Sequence, residues 1–145
     1  MSVTELISVL YGKQMKFDPK DPGWKGRDYL VMSKGHAAPA VEAALAEKGF
    51  FDKALLLTMD DIGTHVPSHV DRLLTPGIDV TCGSLGQGAS VAAGIAWGLK
   101  HEGAKDQYVY VCIGDGELNE GQNWEAFQFM AHNRLNNCIV FIDNN

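Results

Sequence analysis

Several features that would place this protein in a common functional class are missing from its sequence. The 12 lysine and arginine residues form no basic stripe and are outnumbered by 18 acidic residues, giving a net charge of −6. This balance argues against a nucleic-acid partner. The most apolar stretch, "ASVAAGIAWGL", has only 11 residues and is too short to span a bilayer. The N-terminus lacks a basic start followed by an apolar run, so we expect neither a signal peptide nor a membrane partner.

Cysteine is scarce, and its three positions are far apart in the chain. Cys82, Cys112 and Cys138 are odd in number, which does not suggest a disulfide framework. Cys112 and Cys138 fall inside apolar runs that predict strands, where a cysteine usually serves as a small apolar side chain. This usage fits a reducing compartment, and we predict a cytoplasmic location.

The last third of the chain carries the clearest structural pattern. Two apolar runs rich in β-forming residues, "YVYVCI" and "CIVFI", flank a segment whose apolar residues recur at helical spacing. Asn119 with Gln122 predicts a cap at the start of that helix. A strand, a helix and a strand in this order form a βαβ unit with parallel, buried strands. We therefore predict an α/β fold: a doubly wound, mostly parallel sheet with helices on both faces.

Earlier segments predict further elements of the same fold. Ser2 with Glu5 resembles a capping box and marks a short first helix. Strands are predicted over "YLVM" and "IDVTC", and helices over "AAPAVEAALAEKG", over Ala54–Met59 and from "GSLGQG" to about His101. At 145 residues the chain can bury about two-thirds of its unfolded surface, so we treat residues 1–145 as a single domain.

Polar residues follow both strands of the βαβ unit at the point where each strand ends. Gly114-Asp115-Gly116 comes after the first strand and Asp143-Asn144-Asn145 after the second. A right-handed crossover brings both strand ends to the edge at which open α/β sheets bind ligands. Mg²⁺ takes one or two carboxylate or amide oxygens together with phosphate oxygens. Asp115 alone could be a turn residue, but Asp115 and Asn145 together are a candidate magnesium site beside a diphosphate.

The same segments resemble a known family. The run "GDGELNEGQNWEAFQFMAHNRLNNCIVFIDNN" is similar to the thiamine diphosphate signature, which opens with Gly-Asp-Gly and closes on an asparagine after the next strand. The segments "SKGHAAPAVEAALAEKGFF", "VDRLLTPGIDV" and "GSLGQGASVAAGIAWGLK" look like the N-terminal, diphosphate-binding half of transketolase. The closest likeness is to the split form, in which this half is a separate polypeptide.

The resemblance implies that the chain binds thiamine diphosphate with Mg²⁺, and it assigns residues to both. Asp115 and Asn145 would bind the metal, and Asn145 and Gly116 would contact the diphosphate. His36 of Ser-Lys-Gly-His would contact the cofactor near its diphosphate and thiazolium; without the family it would be read as an exposed cap residue. The residues implied to hold the aminopyrimidine form one loop: Gly83, Ser84 and Leu85.

Three residues are implied to take part in the reaction: His36, His69 and Glu120. His69 matches a histidine that hydrogen-bonds the sugar substrate, although this chain has Ser-His-Val-Asp where the family has Gly-His-Pro-Asp. His65 is a rival for that role. Glu120 and Glu125 match glutamates that meet their counterparts across a dimer interface and link two active sites. The sequence alone explains Glu120 equally well as an acid at a helix start.

The resemblance also implies an activity and a partner. Transketolases move a two-carbon ketol unit from a ketose phosphate to an aldose phosphate, as in the pentose phosphate pathway. The glutamate that activates the aminopyrimidine belongs to a pyrimidine-binding domain outside this sequence. We therefore expect the partner to be a C-terminal transketolase subunit, the assembly to be a homodimer or heterotetramer, and the isolated chain to have no turnover. The family's Gly-His-rich front loop and a metal-binding carbonyl just past Asn145 lie outside the sequence, so we expect truncation at both ends.

Three other functions stay open from the sequence. The alpha subunit of a 2-oxoacid dehydrogenase has a similar Gly-Asp-Gly run, but "SKGHAAPA" and "TPGIDVTCGSLGQG" look like transketolase. A non-catalytic remnant or scaffold would keep the fold without binding the cofactor. A plain Mg²⁺-nucleotide binder is disfavoured because no P-loop or Rossmann glycine motif opens any predicted strand.

Overall fold

The fold is built on one parallel sheet of three strands in the order β1-β2-β3. The computed structural model describes residues 2–145. The strands are β1 (Tyr29–Met32), β2 (Val109–Gly114) and β3 (Cys138–Asp143). The α-helices are α1 (Thr4–Val9), α2 (Ala38–Lys48), α3 (Gly88–His101) and α4 (Gly121–His132). A π-helical turn covers Leu10–Gln14, and 3₁₀ turns cover Gly35–Ala37, Lys53–Thr58 and Gly116–Asn119.

The central strand, β2, is the most deeply buried element. Its residues 109–113 are each at most 3% exposed. Because successive strand residues point to opposite faces, this continuous burial means that both faces of the sheet are covered there. Helix α3 contacts all three strands. Its buried small residues are Ala89, Ala92, Ala93 and Ala96. The predicted α/β fold with parallel strands is confirmed, and no helix within residues 2–145 has the length and apolarity to cross a membrane.

The strand predicted over residues 78–82 is wrong, because this segment is irregular. The Asp79 carboxylate accepts the backbone N–H of Leu30 at 2.9 Å and the guanidinium of Arg27 at 3.0 Å. The segment therefore meets β1 through a side chain and not through a ladder of backbone hydrogen bonds. An alternating apolar pattern alone does not distinguish these two arrangements.

Both predicted capping boxes are also wrong. Helix α1 begins after Val3 without a side-chain cap, and the Ser2 hydroxyl donates to the Asp143 carboxylate at 2.5 Å. Helix α4 begins after Glu120, and Gln122 donates to the Ser90 hydroxyl at 2.9 Å. In both places a partner that is distant in the chain competes successfully with the local cap. The helix predicted over Ala54–Met59 is a 3₁₀ turn.

The three cysteines are unbridged thiols. Cys82 and Cys112 are buried and Cys138 is half-buried. Burial raises the pKa of each thiol to about 11. None is therefore poised as a thiolate nucleophile at neutral pH, which agrees with the predicted packing role.

Candidate functional site

The carboxyl ends of β2 and β3 lie side by side, as the sequence predicts. Gly114 pairs with Asp143 in the parallel register, and the Asp115 N–H donates to the Asp143 carbonyl at 3.1 Å. Asn145 follows two residues later, and the side chains of Asp115 and Asn145 are both exposed. The fold thus brings a carboxylate and an amide oxygen to one edge of the sheet, open to a ligand. Their role as metal ligands stays a prediction.

A buried lysine lies at the same edge, and sequence reasoning missed it. Lys34 lies two residues past the end of β1. Its Nζ is 2.5 Å from Oδ2 of Asp143, and the two side chains are only 6% and 12% exposed. The hydrogen bonds from Lys34 and then from Ser2 hold the pKa of Asp143 below its usual value. The edge therefore carries a buried ion pair at the end of β3.

The loop predicted to hold the aminopyrimidine packs against the end of β1. A side chain on Gly35 would overlap the backbone of Cys82, so only glycine allows the turn after β1 to approach this loop. Gly86 closes the loop with φ +91°, a conformation that favours glycine, and a Cβ there would lie 2.6 Å from Cβ of Glu120. The loop is therefore held between the turn after β1 and the start of α4. The Leu85 side chain stays 42% exposed.

A second missed residue, Glu117, joins these segments. Its side chain is 2% exposed. Oε1 accepts the Ser33 hydroxyl and, at 2.7 Å, the Gly86 N–H, while Oε2 accepts the Gly114 N–H at 3.1 Å. The carboxylate thus connects the ends of two strands with the loop before α3. The feature of the sequence that could have pointed to Glu117 is its position directly after Gly-Asp-Gly.

The two candidate substrate histidines have different surroundings. The His69 ring lies beside the loop, with its Cδ2 3.5 Å from the position that a Cβ on Gly83 would occupy. The His65 ring nitrogen Nδ1 lies 3.2 Å from the Leu74 carbonyl. His36 is exposed in the turn that follows β1. His36 follows Gly35, which packs against Cys82 and Gly83, and the His69 ring lies beside Gly83. Both histidines are therefore close in space to the Gly83–Leu85 loop.

The whole chain, residues 1–145, matches the family described as transketolase, thiamine diphosphate binding domain. The chain belongs to this transketolase family. It is 49% identical to the 6-deoxy-6-sulfo-D-fructose transketolase subunit SqwG of Clostridium sp. (strain MSTE9). It is 39% identical to an apulose-4-phosphate transketolase subunit of Actinobacillus succinogenes (strain ATCC 55618 / DSM 22257 / CCUG 43843 / 130Z).

The similarity to transketolases extends to the three-dimensional fold. The structure matches the transketolase from Leishmania mexicana with a TM-score of 0.91 and 37% identity, over 96% of this chain and 22% of that one. Both curated subunits are matched over 100% of this chain and 52% of their own length. The chain therefore spans about half of these subunit relatives. The match over all 145 residues also favours transketolase over the 2-oxoacid dehydrogenase alternative.

The donor set of the transketolase-family site suits a magnesium diphosphate. Within residues 2–145 there is no group of three or more His, Cys, Asp and Glu side chains placed to hold a metal ion. The predicted pair differs from such a group, because it combines the Asp115 carboxylate with the Asn145 amide. Mg²⁺ is commonly bound by one or two protein oxygens, with phosphate and water completing the coordination. Gly116 leaves open space beside its backbone.

Glu120 and Glu125, the predicted interface glutamates, are exposed at the start and in the first half of α4. Large apolar side chains on the same helix are also exposed, with Trp124 at 54% and Phe129 at 43%. An exposed apolar face of this kind is typical of a protein interface. The interface role itself stays a prediction.

Proposed function

We propose that this chain is the thiamine diphosphate- and Mg²⁺-binding part of a transketolase, which transfers a two-carbon ketol unit from a ketose phosphate to an aldose phosphate. The observation that carries the proposal is the meeting of Asp115, the Asn145 segment, Lys34 and the Gly83–Leu85 loop at one sheet edge in a chain of this family. The cofactor, when bound, supplies the nucleophilic carbon and the electron sink for C–C cleavage.

The residues at the strand ends would hold the diphosphate end of the cofactor. Asp115 and Asn145 offer the oxygen ligands for Mg²⁺, and the Gly116 backbone is accessible to a diphosphate oxygen. Lys34 neutralises Asp143, so an anionic group at this edge meets an ion pair and not a bare carboxylate. The charge of the site is in this way adapted to a metal-bound anion.

The loop and the histidines would serve the organic part of the reaction. Ser84 and Leu85 would hold the aminopyrimidine, and the exposed Leu85 side chain supports an apolar contact there. His36 would contact the cofactor near its diphosphate and thiazolium. Between the two candidate substrate histidines, we assign the sugar contact to His69, because His69 lies beside the cofactor loop while His65 is engaged with the Leu74 carbonyl.

A second polypeptide would complete the active site. We assign it a pyrimidine-binding domain, and the names of the two curated relatives, which call each of them a subunit, support a partner of this kind. The exposed Glu120, Glu125, Trp124 and Phe129 on α4 support a homodimer or heterotetramer through that helix. Three unbridged thiols support a reducing, cytoplasmic location.

The names of the relatives bear on the substrate. One relative is named for 6-deoxy-6-sulfo-D-fructose and the other for apulose 4-phosphate. Both names describe a sugar with an anionic group, a sulfonate in the first and a phosphate in the second. A sulfonated ketose is therefore a second candidate donor beside a ketose phosphate, favoured by the 49% identity to the first relative.

The test is a ketol-transfer assay of the assembled protein with thiamine diphosphate and Mg²⁺. Xylulose 5-phosphate, 6-deoxy-6-sulfofructose and pyruvate are offered in turn as donors, with an aldose phosphate as acceptor. We expect transfer from at least one of the two sugars, none from pyruvate, and no turnover by this chain without its partner. Activity with pyruvate alone would overturn the proposed reaction. Failure to bind thiamine diphosphate with the partner present would favour the non-catalytic remnant.

A further inference from the structure

The buried carboxylate of Glu117 is not explained by the contacts proposed for the cofactor. It is 2% exposed and accepts three hydrogen bonds, from Ser33, Gly86 and Gly114. These donors come from three separate segments: the end of β1, the loop before α3 and the end of β2. Burying a charged group is costly unless it is fully hydrogen-bonded. An apolar side chain would avoid that cost, but it would leave the Gly86 and Gly114 amides without their acceptor. The carboxylate therefore serves these donors and does not only fill space.

Each donor is adjacent in sequence to a residue of the candidate site. Gly114 precedes Asp115, Gly86 follows Leu85, and Ser33 precedes Lys34. Glu117 itself is two residues past Asp115, and its backbone carbonyl accepts the buried Asn123 amide of α4 at 2.6 Å. The carboxylate therefore accepts hydrogen bonds from the residues directly next to Asp115, Leu85 and Lys34. These are the proposed metal ligand, the proposed aminopyrimidine contact and the lysine of the ion pair. A shift in any one of these three segments would be transmitted to the others.

We propose that Glu117 is a positioning residue, which fixes the distance between the Asp115 turn and the Leu85 loop and thereby sets the affinity of the site for a magnesium diphosphate cofactor. This inference rests on the proposed function. Glu117 is not among the residues proposed to contact the metal or the cofactor. It acts through two backbone amides and one hydroxyl, in the way that outer-shell partners orient the ligands of a metal site.

The geometry identifies the variant that tests this role. Three donors share the two carboxylate oxygens, and a glutamine has only one oxygen beside an NH₂ group that is itself a donor. In Glu117→Gln, at least one of the Gly86 and Gly114 amides would therefore face another donor. The side chain keeps its size, so the packing of the core is preserved. Ser33→Ala is the milder companion variant, because it removes one donor and leaves the carboxylate in place.

Two measurements on the assembled protein test the proposal. The first is hydrogen exchange of the Gly86 and Gly114 amides without cofactor, with the amides of residues 109–113 in β2 as internal reference. The second is the dissociation constant of thiamine diphosphate at saturating Mg²⁺, from calorimetry. We expect Glu117→Gln to speed exchange at Gly86 or Gly114 while residues 109–113 of β2 stay protected. We also expect it to weaken cofactor binding by about 10- to 100-fold. Ser33→Ala should give a smaller loss in the same direction. The control is Glu102→Gln, which removes the same charge from an exposed position at the end of α3.

The outcomes separate this inference from the proposed function. Faster exchange with unchanged cofactor affinity would overturn the positioning role and leave the proposed function standing. Unchanged exchange at Gly86 and Gly114 would overturn the role of Glu117 as the connecting group. If Glu117→Gln fails to fold, Ser33→Ala decides, and wild-type affinity in that variant contradicts the proposal. A wild-type protein that binds no thiamine diphosphate would overturn the proposed function, and the positioning role with it.

Discussion

Buried charge distinguishes the carboxyl edge of the sheet from an ordinary protein surface. Lys34 and Asp143 form an ion pair with side chains 6% and 12% exposed, and Glu117 lies nearby with 2% exposure. A buried pair adds little stability as a whole, because the desolvation of both charges opposes their attraction. Removing one member has a much larger effect, since the other is left buried and uncompensated. Single substitutions at this edge therefore test the structural role of each charged residue.

We expect Lys34→Met to lower the free energy of unfolding by about 3 kcal/mol, because it leaves the Asp143 carboxylate without its cation. The Ser2 hydroxyl would still donate to Asp143, which keeps the loss at the low end of the range for buried pairs. Urea unfolding of the variant and the wild type measures the difference. Lys20→Met, at an exposed loop position, should stay within about 0.5 kcal/mol of wild type. An equal loss in both variants would contradict the structural role of the ion pair.

Some site residues could be predicted from the sequence and others could not. The two groups differ in how far along the chain their partners lie. Asp115 and Asn145 each follow an apolar strand of the same βαβ unit, so local pattern and topology together indicate one edge. Lys34 lies 109 positions from Asp143, and Ser33 lies 84 positions from Glu117. Contacts between residues so far apart in the chain leave no periodicity or motif in the sequence. The importance of Lys34 and Glu117 therefore becomes visible only when the chain is folded.

At the scale of secondary-structure elements, helix α2 contains an unusual buried acid. Glu42 is 0% exposed, and neither of its carboxylate oxygens has a hydrogen-bond partner among residues 2–145. The Thr75 hydroxyl near it donates to the His65 carbonyl at 2.6 Å. Burial, and to a lesser degree the charge of Asp60, raises the pKa of Glu42 from 4.5 to about 7. The folded protein therefore holds the Glu42 proton more tightly than the unfolded chain does.

This shift predicts a dependence of stability on pH. The contribution of Glu42 is fully present below pH 4.5 and is lost as the pH rises through about 7, where the folded protein must bury a charge. The loss amounts to about 3 kcal/mol, from about 1.4 kcal/mol for each pKa unit. Glu42→Gln cannot ionise, so we expect it to be more stable than wild type at pH 8 and to lose this part of the pH dependence. Thermal unfolding of both proteins from pH 5 to pH 8 measures the difference, and parallel curves would contradict the assignment.

The elements of this fold were predictable where the chain has apolar runs. Predictions were wrong where polar side chains bond to distant parts of the chain. Strands β1, β2 and β3 follow apolar runs, and α2 ends at Gly49, which adopts the left-handed conformation with φ +85°. The run at residues 78–82 has the same apolar appearance, but Asp79 bonds to β1 by its side chain. The capping boxes failed because Ser2 and Gln122 bond to distant side chains. At these positions, the local preference of the sequence for a strand or a helix cap did not determine the structure.

At the scale of the whole molecule, the chain corresponds to only part of each of these relatives. It spans 52% of the two curated subunit relatives and 22% of the transketolase from Leishmania mexicana. The proposed metal and diphosphate positions, Asp115, Gly116 and Asn145, lie on this chain, whereas the group that activates the aminopyrimidine is expected on a partner. The central claim is therefore about binding: this chain holds the metal diphosphate end of the cofactor.

Calorimetric titration of the assembled protein with thiamine diphosphate, with and without Mg²⁺, tests that claim most directly. We predict saturable binding that requires Mg²⁺ and is lost on addition of EDTA. Asp115→Asn should weaken it by more than the roughly tenfold cost of losing an outer-shell partner. Asp106→Asn, an exposed acid before β2, should bind like wild type. Binding without regard to Mg²⁺, or wild-type affinity in Asp115→Asn, would contradict the claim.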